Sequence, residues 1–218
     1  MNNWEVRDLA IVEADDFQDR YDRNGLNFLF HWKTKFPDFK ITLFTIPDRT
    51  SPELLKQMQR NNDWIELAVH GWNHESNFEC WGWDEIKTNA YLDRIEKTGA
   101  YVKLFKAPGW QITDKHSGYI ADPETPIGKD PQVVYRVLEE RGYTIVDRHY
   151  NKPARLPHSK IICVDCNEQI IHMHTWDMET GDKASRNGFR QVEEEHGVPW
   201  DNHTVFRFML HQDYICVE

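Results

Sequence analysis

The sequence predicts an α/β protein built on a parallel sheet. Three observations carry this: seven short apolar runs are spread along 218 residues, helical signals fall between them, and most runs stop at a polar residue. Parallel neighbours cannot be joined by a tight turn, so a repeated strand–helix order implies crossovers and a parallel sheet. Seven such strands can form an open sheet or a closed barrel, and periodicity does not choose between them.

The first run, Leu9 to Ala14, ends at Asp15-Asp16, and the second, Ile41 to Ile46, is closed by Pro47. The third, Trp64 to Val69, ends at His70, and the fourth, Val102 to Phe105, ends in Lys106-Ala107-Pro108-Gly109. Tyr143 to Val146 ends at Asp147, Gln169 to Met173 at His174, and Val205 to Leu210 at His211. Between them, Ser51 can cap a helix with Pro52 at its first position and Leu54, Leu55 and Met58 on its apolar face. A second helix runs from Trp83 to Lys97 and stops at Gly99; a third opens at Asp130-Pro131, buries Val133, Val134, Val137 and Leu138, and stops at Gly142. The stretches 111–129 and 150–160 look irregular.

Composition narrows the function. The length predicts one domain over residues 1–218, and 39% hydrophobic residues are enough for a core. Lys plus Arg is 26 and Asp plus Glu is 36, so the formal charge is −10. That balance argues against nucleic acid and against an anionic membrane as partners. No apolar run approaches the ~20 residues of a membrane span. The start, Met1-Asn2-Asn3-Trp4-Glu5, lacks the basic and then apolar pattern of an export signal, so a soluble cytoplasmic protein is expected. Four cysteines do not make a disulfide scaffold. Cys163 and Cys166 form a lone CxxC, and with Cys80 and Cys216 far away they read as reduced thiols rather than a zinc site.

Asp15, Asp16, His70, Lys106, Asp147, His174 and His211 all sit at the ends of apolar runs. The carboxyl ends of parallel strands are the face on which α/β proteins build their sites. His70-Gly71-Trp72-Asn73-His74 is an HxxxH at a strand end leading into a turn. Two imidazoles need an anionic third ligand to make an open metal site, and the Asp pair can supply it. Two adjacent carboxylates repel, and a divalent cation resolves the conflict. One then binds the metal while the other stays free as a base. A glycosidase pair must straddle its bond at about 5–9.5 Å, which consecutive residues do not naturally do.

At this point the chain resembles the polysaccharide deacetylase family, carbohydrate esterase family four, with its chitooligosaccharide deacetylase homology domain. Glu13-Ala14-Asp15-Asp16-Phe17 is similar to the family's opening strand and Asp pair, and His70 to His74 to its paired histidines. Phe105-Lys106-Ala107-Pro108-Gly109-Trp110 looks like a variant of its Arg–Pro turn, Asp147 falls at its next strand-end Asp, and Ile170-Ile171-His172-Met173-His174 resembles its last strand. The resemblance spans roughly residues 8 to 212. It implies a single-domain (β/α)7-type irregular barrel and a divalent metal, most often zinc, with cobalt or nickel as alternatives. It implies Asp16, His70 and His74 as ligands, Asp15 as base and a histidine as acid. His174 fits that last position best, with His211 and His172 as alternatives. A backbone N–H near Gly109, in the turn with Pro108, would face the oxyanion. Lys106 and Asp147 would support the site. Lys106 stands where the family has Arg, and a lysine cannot grip a carboxylate by a two-point fork. Phe17 stands where a Gly is usual.

Among the tryptophans near these motifs (Trp72, Trp81, Trp83, Trp110 and Trp176), Trp72 and Trp110 lie in strand-end turns and are the expected sugar contacts. The segment 111–129 could cover the site. The expected function is a metal hydrolase that removes an N-acyl group, most often acetyl, from a sugar or polysaccharide. The alternatives are an amidohydrolase of the same fold acting on a ureide or cyclic amide, and a non-catalytic carbohydrate-binding barrel.

Overall fold

A computed structural model describes residues 9–19, 22–110, 112, 132–147, 161–163, 170–174 and 207–215. In chain order the elements are β1 (Leu9–Phe17), α1 (Asp22–Lys35), β2 (Ile41–Thr45), α2 (Pro52–Gln59), β3 (Ile65–His70), α3 (Glu85–Lys97), β4 (Leu104–Lys106), α4 (Val133–Glu140), β5 (Thr144–Asp147), β6 (Ile161–Cys163), β7 (Ile170–His174), β8 (Arg207–Met209) and α5 (His211–Ile215). The sheet order is β6-β5-β4-β3-β2-β1-β7, with β8 also pairing β1. Every pair whose register is described is parallel. The α/β class with parallel strands is therefore the one the apolar runs predicted.

Three elements were not foreseen: α1, β6 and the short α5. In α1, Leu26, Leu29 and Trp32 are buried at helical spacing while Phe30 is exposed. The exposed aromatic fills the polar positions of the pattern and hides the period. β6 is three residues long, too short for alternation to register, and its pairing with β5 defines it. The stretch 113–129, the residues of 150–160 and the helix opening at Asp130-Pro131 lie outside the described residues, as do Cys166, Trp176 and Cys216.

By the density of its contacts the chain divides into two compact units, Met1–Phe44 with Thr50–Leu67 and Glu168–Glu218, and Thr45–Arg49 with Ala68–Asn167. In the first unit the core is aromatic: Phe39 packs edge-on to Phe208 at 5.3 Å and against Trp64 at 6.3 Å, and Trp32 stacks on Phe36 at 5.2 Å. α2 begins where expected. Pro52 occupies the first turn, and the Ser51 hydroxyl accepts the Leu54 N–H at 3.3 Å while donating to Asp19 at 3.0 Å. In the second unit Val133, Val134, Val137 and Leu138 of α4 pack with Leu92, Ile95, Phe105 and Ile145. α3 starts at Asp84, whose carboxylate accepts the Lys87 N–H at 2.8 Å. Arg141, just past α4, bonds Glu96 at 2.8 Å and Asp93 at 2.7 Å on α3, tying the two helices together. Among the described residues, no helix is long and apolar enough to cross a membrane.

Candidate functional site

Side chains alternate along a strand, so Glu13 and Asp15 share one face of β1 and Asp16 belongs to the other. The backbone changes this. Asp16 has a φ of 66° and His74 one of 49°. Left-handed backbone is uncommon outside glycine, though Asp and His tolerate it best, and such positions cost of order 1–3 kcal/mol each. The ring centres of His70 and His74 lie 5.1 Å apart. Asp16 and His70 are buried and His74 is half-buried.

The loop between the two histidines is held by a residue that sequence reasoning passed over. The Glu79 carboxylate accepts three successive backbone N–H groups, from Trp72 at 2.8 Å, Asn73 at 3.1 Å and His74 at 2.8 Å. Glycine is required at the start of this loop. Gly71 has a φ of +65°, and a Cβ there would lie 2.7 Å from both Glu79 Oε2 and Pro108 Cγ. The His70 ring is also held: its Nδ1 lies 3.1 Å from the Lys106 carbonyl oxygen. A carbonyl only accepts, so Nδ1 carries the proton and Nε2 is left with the lone pair that a metal needs.

The turn after β4 follows the same pattern. Gly109 has a φ of +58°, and a Cβ would meet Asn77 Cβ at 2.7 Å. Trp110 is also left-handed, at 62°, and its N–H donates to the Ala107 carbonyl at 2.9 Å. Lys106 is fully buried, with its ammonium 4.4 Å from the Trp110 ring centre. The Asp147 carboxylate accepts the Tyr135 hydroxyl at 3.2 Å. Trp72 is 7% exposed, stacked on Tyr91 at 4.8 Å with the Arg94 guanidinium 4.2 Å from its ring. Its ring is thus engaged in packing against α3, whereas Trp110 is half-buried.

On the β1–β7 pair, Glu13 stands opposite His172 and Asp15 opposite His174. Glu13 is fully buried; one oxygen lies 2.9 Å from His172 Nδ1 and the other 2.7 Å from His211 Nε2. His211 is itself fully buried, and its Nδ1 has no hydrogen-bond partner among the described residues. Glu13 was the second residue missed. A charged residue inside an apolar run was the available signal, since such a group must be paired when buried. Asp15, His172 and His174 form a second group with donor atoms within 4.8 Å. Behind β2, Glu66 accepts the Thr42 hydroxyl at 2.8 Å, and burial pushes its carboxyl above the usual range. Burial likewise raises the Cys80 thiol well above its ordinary value, so it behaves as a packed, unreactive group.

No family model and no curated protein matches the chain. Solved structures do. A family 4 acetyl xylan esterase from Clostridium thermocellum, in complex with a cobalt ion, aligns with a TM-score of 0.57 at 10% identity, over 96% of this chain and 91% of its own. The family 4 carbohydrate esterase domain of a multidomain xylanase, from the hindgut metagenome of Trinervitermes trinervoides, aligns at 0.54 and 18% identity, over 96% and 90%. A family 4 pseudoenzyme from Bacillus anthracis aligns at 0.51 and 12% identity, over 94% of this chain and 64% of its own. The likeness establishes the fold as the one shared by these carbohydrate esterases.

Proposed function

We propose that this chain is a metal-dependent deacetylase that removes an N-acetyl group from an N-acetylated sugar or polysaccharide. The observation that carries the reading is the His70 and His74 pair on one strand-end loop, ring centres 5.1 Å apart, with Asp16 read as the carboxylate that completes the donor set. That donor set suits zinc, and cobalt or nickel would also fit it. The tautomer of His70 imposed by the Lys106 carbonyl supports the same assignment. The fold shared with carbohydrate esterases supports an acyl-transfer reaction, and the cobalt ion of one of them supports a divalent metal.

A divalent ion held there supplies a Lewis acid that acidifies water and polarises the acyl oxygen. The chain's own residues do the rest. Asp15, adjacent to a ligand but outside the ligand set, accepts the proton of the attacking water. His174, opposite Asp15 across β1 and β7, delivers a proton to the departing nitrogen. A backbone N–H near Gly109 faces the developing oxyanion. The exposed part of Trp110 offers an apolar face to a sugar ring. Lys106 and Asp147 support this arrangement from β4 and β5.

The test is acetate release from N-acetylglucosamine oligomers by purified protein, before and after chelation and with zinc restored. Release that disappears on chelation and returns with stoichiometric zinc is expected. Ring opening or ammonia release from cyclic amides would replace this reading with the amidohydrolase. Sugar binding with no turnover under stoichiometric zinc, cobalt or nickel would make the chain a non-catalytic barrel, like the pseudoenzyme that shares its fold.

A further inference from the structure

We propose that Asp15, His172 and His174 form a second divalent-metal site, and that filling it silences the enzyme. Four residues on two paired strands build it. Glu13 and Asp15 are two apart on β1, and His172 and His174 are two apart on β7, in direct register. Strand alternation therefore points all four side chains to the same face.

The spacing of the His172 and Asp15 donor atoms leaves room for an ion. His172 Nε2 lies 3.8 Å from Asp15 Oδ2, beyond hydrogen-bond range. Ligands bound about 2 Å from a tetrahedral ion stand ~3.3 Å from one another, so a few tenths of an ångström of adjustment places an ion between these two atoms. One donor atom each from Asp15, His172 and His174 already falls within 4.8 Å of the others. The ring centres of His172 and His174 are 5.2 Å apart at 73°, a T-shaped arrangement rather than a stack.

The support behind the ligands is also present. A carboxylate only accepts, so His172 Nδ1 donates to Glu13 and its Nε2 turns to Asp15 as a lone-pair donor. A carboxylate behind a ligating imidazole is the usual device for fixing ring and tautomer at metal sites. Glu13 is itself anchored, fully buried and bonded to His211 at 2.7 Å. Nothing in the proposed hydrolysis uses Glu13 or His172.

The consequence for activity rests on the deacetylase reading; the site does not. A metal on Asp15 takes the lone pairs that would accept the water proton, and one on His174 takes the nitrogen that would release a proton.

Zinc binding to the chelator-stripped full chain tests both parts, with zinc alone as the probe. Two zinc ions per wild-type chain and one in His172→Gln are expected, and turnover lost at saturating zinc in wild type should persist there in His172→Gln. Glu13→Gln should weaken the second site about 10–100-fold and leave the first unchanged; it also serves if His172→Gln does not fold. Two ions retained in His172→Gln would overturn the proposal, as would a single ion that His70→Gln abolishes and His172→Gln keeps. A single ion with the opposite behaviour would uphold this site and overturn the deacetylase reading.

Discussion

The Glu79 carboxylate accepts the backbone N–H of His74 at 2.8 Å and so holds this left-handed residue, the proposed second imidazole ligand, in place. One acidic side chain thus organises the loop that carries half of the imidazole pair. Glu79→Gln turns one acceptor oxygen into a donor facing N–H groups, leaving at least one of them unsatisfied. An unsatisfied, partly buried N–H costs about 1–3 kcal/mol. Thermal unfolding should show that loss, and zinc affinity should fall with it. An unchanged zinc affinity would detach Glu79 from the site.

His74→Ala should remove the tightly bound metal and activity together, read by elemental analysis beside acetate release. Asp15→Asn should keep that metal and lose turnover by about 10²–10⁴-fold, the usual contribution of a general base. Loss of metal in Asp15→Asn would move that residue into the ligand set.

Gly71→Ala should destabilise the chain by more than the ~1–2 kcal/mol of a left-handed alanine, because the new Cβ also meets Glu79 and Pro108 at 2.7 Å. Denaturant unfolding would measure it. Gly142→Ala is the control: its φ is +77° but a Cβ meets nothing within 4 Å, so only the backbone cost should appear.

Acid should loosen the α3–α4 contact. The Arg141 guanidinium holds the Glu96 carboxyl below the usual carboxylate range, and Lys103 adds to this. A carboxyl depressed in the folded state stabilises above its unfolded value near 4.5, and the gain is lost as pH falls through the lower folded value. Glu96→Gln should therefore cost about 1 kcal/mol at neutral pH and nothing in strong acid. Unfolding midpoints from pH 7 down to pH 3 would check this.

Glu66 has the opposite sign. Burial raises its carboxyl, so its protonated form suits the fold, and stability declines as pH rises from about 4.5 through the raised folded value. Glu66→Gln keeps an acceptor for the Thr42 hydroxyl and removes the buried charge. It should flatten that decline, measured by the same midpoints taken upward from pH 4.

The sequence alone was sufficient for seven of the eight described strands, the parallel class and the polar residues at strand ends. Each depends on a local pattern: apolar runs of four to six residues, proline and glycine at their borders, and Asp or His where a run stops. Asp16, His70 and His74 could be named as a group by the same logic, through the resemblance their spacing carries. Tertiary structure alone decided how these groups are held. Glu13 meets its imidazoles across 159 and 198 residues of chain, a pairing that parallel register creates and no local pattern encodes. The left-handed turn at Asp16 breaks the extended backbone on which strand alternation rests, and the packing of Trp72 on Tyr91 and Arg94 follows from where α3 lies. Local preferences set which residues reach the ends of strands. Backbone reversals and long-range partners set where their donor atoms point.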